Sequence, residues 1–370
     1  MERSVKQRRP ATLASLAAEL GVSRTTVSNA YNRPDQLSPE LRRRVLETAR
    51  RLGYPGPDPV ARSLRTRRAG AVGLLLTEAL SYAFRDPAAI GFLEGLALSC
   101  EEAGQGLLMV PASPEGDQAR SAAAVHRAGV DGFVVYSVPD DDPHFAAVRQ
   151  RPLPTVVCDQ PVVEGVGHVG IDDQGAMAGL GRHLIELGHR SVGVICMRLG
   201  RDRNDGFVDV LRQRAAHFHV QRARLAGLAD AFGEVVDDWS AVRVVERFDH
   251  TLESGASAAR QLLDRDPGLS ALACTSDILA LGALEEVRRR SLRVPDDITV
   301  TGFDCVPEAE RLGLTTVRQP VREKGRAAGR LLLGSTEPGR RRSVSLPTEL
   351  VIGATSGPAK ATDAPWFSGL

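Results

Sequence analysis

The chain has 370 residues, 42% apolar and 25% charged, which is enough for two or three domains around a large core. The opening "MERSVKQRRPATL" lacks the apolar stretch of an export signal, and no later run approaches about 18 apolar residues, so the expectation is a protein neither exported nor membrane-spanning. A net charge of +1 conceals a division: residues 1–68 carry 15 Lys/Arg against 6 Asp/Glu, the remainder 32 against 40, and a basic head on an acidic body points to a polyanion at one end only.

The first elements read as helices. In "TLASLAAELGV", Leu13, Leu16, Ala17 and Leu20 fall at i, i+3, i+4 and i+7 after Thr12, a residue suited to capping, and Gly21 closes the helix. Ser23 can cap a second helix, "SRTTVSNAYN", with Val27 turned inward. A third follows "LSPE": Ser38 caps, Pro39 takes the first helical position, and Leu41, Val45 and Leu52 form the apolar stripe. Two short helices across a Gly-containing turn, with a third in support, make a helix-turn-helix unit whose second helix has the dimensions to enter a major groove.

Across "LASLAAELGVSRTTVSNAYN" and "LSPELRRRVLETARRLGY" the chain resembles the DNA-binding head of the lactose/galactose repressor (LacI/GalR) family almost position by position. That resemblance implies that Arg24 and Thr25 reach base edges and that Asn29 meets bases or phosphate. It also implies that Ser23, Thr26 and Ser28 donate to phosphates. Without it, each of these reads as a capping or solvated helix residue.

Residues 54–70, "YPGPDPVARSLRTRRAG", open with three prolines and a glycine, after which "PVARSLR" can form a helix too short to be stable alone in water. The family's hinge helix is similar: it orders only when two copies pair on DNA and push a leucine into the minor groove. Leu64 stands in that leucine's place and Ala61 in that of the small residue beside it; such a wedge unstacks a base step and bends the duplex. Arg62, Arg65, Arg67 and Arg68 would lie along phosphates and make binding salt-sensitive. The chain departs from the family by one extra residue between Tyr54 and Pro57, and by Asp58 where Asn is common. Read alone, the segment is a flexible Pro/Arg linker.

From residue 70 apolar runs such as "AVGLLL", "GFVVYS", "TVVCD", "SVGVIC", "ALACTS" and "ITVTGFD" alternate with helical stretches. Continuous apolar strands with intervening helices mean parallel, doubly wound sheets. The strands are too many for one sheet, so two α/β lobes are expected, with ligand between them at the carboxyl ends of strands. Polar residues at those ends are the first candidates: Asp159, Ser276, Asp277 and Asp304, each of which could equally cap the next helix, Asp277 most of all.

The body also resembles the family's effector domain in "VGIDDQGAMAGLGRHLIELGHRSVGVI", "TSDILALGALEEVRRRSLRVPDDITVTGFD" and "LTTVRQPVREKGRAAGRLLL", and the whole resemblance covers about residues 10–355. It implies a periplasmic-binding-protein type I fold whose lobes exchange the chain near 168, 315 and 347. The implied division is a headpiece over 1–56, a hinge over 57–69 and an effector domain over 70–357. The N-lobe takes 70–168 and 316–345, the C-lobe 169–315 and 346–357, and 358–370 is a flexible tail. On the same resemblance Arg224 of "RLAG" binds the effector, with Arg203 of "RNDGF" as runner-up. His250 stands where relatives place an aromatic stacking group, and Tyr82, Phe84 and Asp86 in the loop after the first strand could line the other wall.

The stretch 197–223 is longer than the family usually has, and an extra helix or a flap over the cleft is the expectation there. Its His217 and His219 have no Cys or acidic partner at helical spacing, so no metal is expected. The five cysteines are scattered with no CxxC, which argues against disulfides and fits a reducing cytoplasm. No GxSxG elbow, Walker loop, HExxH or GxGxxG at the first βα turn is present, so the reading is of neither an enzyme nor a cofactor protein. A transport-type solute-binding protein would share the body but has no use for a basic head. What uses both parts is a ligand-responsive transcription factor. The expected partners are a palindromic double-stranded operator, a sugar or nucleoside effector, and a second copy of the chain, in a homodimer or a tetramer built from it.

Overall fold

The computed structural model describes residues 11–56, 66–76, 82–111, 118–233, 235–236, 238–334 and 343–360. It divides into two compact units, residues 1–69 and 70–370. The hinge candidates Ala61 and Leu64 lie outside the described residues, as do Asp58, Arg62 and Arg65.

In the head, α1 (Leu13–Leu20) begins at Thr12, whose hydroxyl accepts from the Ser15 N–H, and ends at Gly21 in the left-handed region at φ 65°. Helix α2 (Arg24–Asn32) is capped by Ser23 and α3 (Pro39–Leu52) by Ser38, with Pro39 at the start, where its missing N–H costs nothing. Leu16, Ala17, Val27, Ala30, Val45 and Ala49 are buried between the three helices. Tyr31 and Tyr54 meet edge to face at 6.1 Å at the rim of this core.

The body follows in chain order as β1 (Ala71–Leu76), α4 (Pro87–Glu102), β2 (Gly106–Pro111), α5 (Gln118–Arg127), β3 (Gly132–Tyr136), α6 (Pro143–Arg149), β4 (Thr155–Cys158), β5 (Gly167–Ile171), α7 (Asp173–Glu186) and β6 (Val192–Met197). Next come β7 (Gly206–Val208), α8 (Val210–Arg214), α9 (His219–Phe232), β8 (Arg243–Arg247), α10 (Leu252–Arg265), β9 (Ala271–Cys274), α11 (Asp277–Arg289) and β10 (Thr299–Thr301). The last elements are α12 (Pro307–Arg311), β11 (Thr316–Arg318), α13 (Val321–Leu333), β12 (Ser343–Leu346) and β13 (Glu349–Val351).

Six parallel strands in the order β12-β5-β4-β3-β1-β2 form the first lobe, and β10-β9-β6-β8-β7 form the second. Both sheets are covered on both faces. Leu74 of β1 packs toward α4 and α13 while its neighbour Leu75 packs toward α5 and α6, so a continuous apolar strand is what the position requires. In the second lobe Ile195 faces α10 and α11, whereas Val194 faces α7 and α9.

Three crossings join the lobes: after Ile171, between β11 and α13, and between β12 and β13. The first two fall a few residues beyond the expected breaks at 168 and 315. Strand β5 stays in the first sheet as far as Ile171, and β11 pairs antiparallel with β13 while Val317 packs into the second lobe's core. Helix α13 returns to the first lobe against α4, and the approach is close enough that a Cβ on Gly95 would sit 1.8 Å from the Arg322 carbonyl oxygen.

The start of the tail expected over 358–370 is held: the Ala359 N–H donates to the Leu187 carbonyl at 2.8 Å, and Lys360 pairs with Asp297. Residues 361–370, including Trp366, are outside the described set. Among the described residues no helix is long and apolar enough to cross a membrane.

Candidate functional site: a helix face and an interlobe cleft

Helix α2 sets its candidates by period. Val27 and Ala30 point into the core, which leaves Arg24 and Thr25 exposed on the first turn, where helix N–H groups and the macrodipole favour an anion. The remaining candidates already hold internal partners. Ser23 Oγ accepts from the Thr26 N–H at 3.0 Å and lies 2.8 Å from its hydroxyl. Asn32 donates to Ser28, and Asn29 Nδ2 donates to Gln36 Oε1 at 3.2 Å.

In the body, the carboxyl ends of strands from both lobes surround a cavity of about 110 Å³. Asp86, Asp159, Arg224, His250 and Asp304 all line it. Asp86 caps α4, accepting from the Ala88 N–H at 3.2 Å, and Asp159 follows β4 with a left-handed φ of 67°. On the facing wall, the Arg224 Nε donates to Asp173 Oδ1 at 2.8 Å and its NH1 to the Thr275 carbonyl at 2.6 Å. The guanidinium lies over the Phe303 ring, 3.6 Å from the centroid, with Asp304 Oδ1 3.6 Å away. Burial pushes the Asp304 carboxyl well above the usual carboxylate range, although Arg224 pulls the other way. His250 is held below its ordinary value by burial and is neutral at pH 7; its Nε2 lies 2.8 Å from Ser276 Oγ.

Four expected residues do not take a direct part. Ser276 is fully buried behind His250 as the cap of α11, so it supports the lining rather than joining it. Asp277 is buried too, accepting from Thr316 Oγ1 at 2.6 Å and from the Val306 N–H at 2.8 Å; it ties α11 to β11 and faces no cavity. Burial raises its carboxyl to about 6. Phe84 is 63% exposed and Arg203 is paired with Asp249 at 2.8 Å over Phe248, both away from the lining. The side chain of Tyr82 lies outside the described residues.

The long stretch after β6 forms the antiparallel edge strand β7 and the short α8, then supplies Phe218 to the cavity wall. Fully buried Glu246 anchors it, accepting from the Leu199 N–H, Asn204 and Arg212 at 2.6–2.7 Å. His217 pairs with Asp141 at 3.0 Å, and among the described residues no group of three or more metal-ligating side chains gathers. Arg198, Tyr136, Gln221 and Gln319 also line the cavity and were missed in the sequence. Tyr136 closes β3 and Arg198 follows β6, so the strand-end rule that found Asp159 would have found them. Asp173, two residues past β5, falls under the same rule, whereas Lys324, on α13 behind the lining, carries no such signal.

The periplasmic binding protein-like domain family matches residues 182–356. A helix-turn-helix (HTH-type) transcriptional regulator of Mycolicibacterium smegmatis is 55% identical over 364 residues, 97% of this chain and 100% of that protein. The crystal structure of a LacI family transcriptional regulator from Corynebacterium glutamicum matches at 41% identity with a TM-score of 0.73, over 95% of this chain and all of that one. A complex of the transcriptional regulator CelR with cellobiose matches at 28% identity and TM-score 0.66, over 94% of this chain and all of that one. Identity at that level from end to end settles the family: the chain is a LacI family, helix-turn-helix transcriptional regulator, a DNA-binding protein and not an enzyme.

Proposed function

We propose that this regulator represses transcription as a homodimer on a palindromic operator, and that a neutral, hydroxyl-rich ligand in the interlobe cleft alters its hold on DNA. The carrying observation is the chemistry of the lining. Asp159 is paired by Lys324 at 2.6 Å, Asp304 is met by Gln319 and Arg224, and Arg224 is paired by Asp173, so these charges are matched within the protein, with Asp86 and Arg198 of opposite sign in the same lining. A net-charged ligand would disturb that balance, whereas hydroxyls can donate to carboxylates and accept from arginine. The aromatic carbons of Tyr136 and Phe218 in the same lining suit the apolar carbons of a sugar, which we favour over a nucleoside. The cellobiose held by CelR is of that class.

In this reading Arg24, Thr25 and Asn29 read each half-site, Ser23, Thr26 and Ser28 hold phosphates, and paired hinge segments wedge Leu64 beside Ala61 at the operator centre. Ligand bound between the lobes changes how paired first lobes present the hinges; a coupling of about 1–3 kcal/mol gives a 5- to 150-fold response. Such a regulator works in the cytoplasm. The test is a thermal-shift screen of sugars and nucleosides on the full chain, followed by gel shift on its operator with each hit. A neutral sugar that stabilises the protein and changes operator affinity is expected. Stabilisation by anionic compounds alone would refute the hydroxyl-rich reading. Unchanged operator affinity in Leu64→Ala would refute the wedge.

A further inference from the structure

One buried charge plays no direct part in the cleft. Lys324, on α13 of the first lobe, is only 2% exposed and does not line the cavity. Its ammonium donates to Asp159 Oδ1 at 2.6 Å and to Gln319 Oε1. An ammonium has three donors and no acceptor, so it dictates the orientation of the Gln319 amide: Oε1 turns to the lysine and Nε2 must face away. Nε2 then donates to Asp304 Oδ1, across the crossing between β11 and α13. Asp159 and Asp304 stand on opposite walls of the cavity, and in each one oxygen is engaged from behind.

We propose that Lys324 is a positioning residue for ligand recognition: acting through Asp159 and Gln319, without touching the ligand, it sets the hydrogen-bond polarity of both cavity walls. This rests on the hydroxyl-rich reading of the cleft. With an apolar side chain at 324, Asp159 becomes a buried, unpaired carboxylate and the Gln319 amide is free to turn. Both walls lose their fixed pattern of acceptors although neither wall residue has changed. The charged groups around the pair are Asp173 on α7, Arg224 on α9 and Asp304; Tyr136 and Cys158 also face it, with burial suppressing their acidity. Burial works against the ammonium, but Asp159 and Asp173 outweigh it and hold Lys324 above the usual lysine range.

The experiment compares full-length wild type, Lys324→Met, Asp159→Asn and the double variant by thermal unfolding at neutral pH. Ribose, cellobiose and glucitol serve as probes. Lys324→Met should lose about 5 °C or more in the wild-type background and little in the Asp159→Asn background. A sugar that stabilises wild type should bind Lys324→Met about tenfold more weakly. A loss equal in both backgrounds would mean that Lys324 only fills space, and undiminished sugar affinity would equally overturn the proposal. If no probe shifts wild type, the hydroxyl-rich reading of the cleft falls, while the ligand-free comparison still decides what Lys324 does to Asp159.

Discussion

Helix α2 and the cleft place their charges in opposite ways. Arg24 sits exposed at the start of α2, and the head's core is built without it. In the cleft lining and just behind it, Arg224, Asp173, Asp304 and Lys324 are each less than a tenth exposed, and each has a polar partner within the protein. A surface charge can therefore be exchanged at little cost to folding, whereas each buried charge is part of the fold. Recognition and stability separate in the head and are fused in the body.

The sharpest way to break this contrast is Arg224→Met. It strands Asp173 and Asp304 in the interior, and the body should lose about 3–5 kcal/mol by denaturant unfolding, together with its response to ligand. A loss below about 1 kcal/mol would show that water reaches those carboxylates and that the cleft charges are not committed to the fold. Next in size, Arg24→Ala should cost about 1–3 kcal/mol of operator binding and relax specificity at one position of each half-site, with head stability unchanged. An equal loss on random DNA would reassign Arg24 to the phosphate backbone.

Smaller still, Ser38→Ala removes the hydroxyl that accepts from the Leu41 N–H and should lower head stability by about 1 kcal/mol without changing the stability of the body. The smallest effect belongs to Arg203→Ala, an exposed ion pair away from the cavity lining, which should leave the unfolding midpoint and ligand binding unchanged. If ligand affinity instead fell tenfold, Arg203 and not Arg224 alone would belong to the site.

The head was legible because its determinants are local. Thr12, Ser23 and Ser38 cap helices at the expected positions, since a cap needs only the three residues that follow it. The strands were legible for a related reason, as apolar runs buried on both faces need no partner to be recognised. The lobe crossings were read a few residues short, because where β5 and β11 end is set by β12 and β13, which lie far along the chain. Asp277 and Asp304 look alike at strand ends, yet one ties α11 to β11 and the other opens on the cavity. Lys324 was invisible: a lysine on an amphipathic helix reads as a solvated charge, and only the return of α13 against α4 buries it beside Asp159.

By itself, then, the sequence determined the helix-turn-helix head, the doubly wound body and the residue classes at strand ends, because caps, periods and apolar runs act over a few residues. Tertiary structure alone decided which of those polar residues face one another across the cleft. That choice depends on three chain crossings that bring residues 159, 304, 319 and 324 into one hydrogen-bonded group, with Arg224 beside Asp304 as an ion pair, where the cost of an unpaired charge fixes each partner.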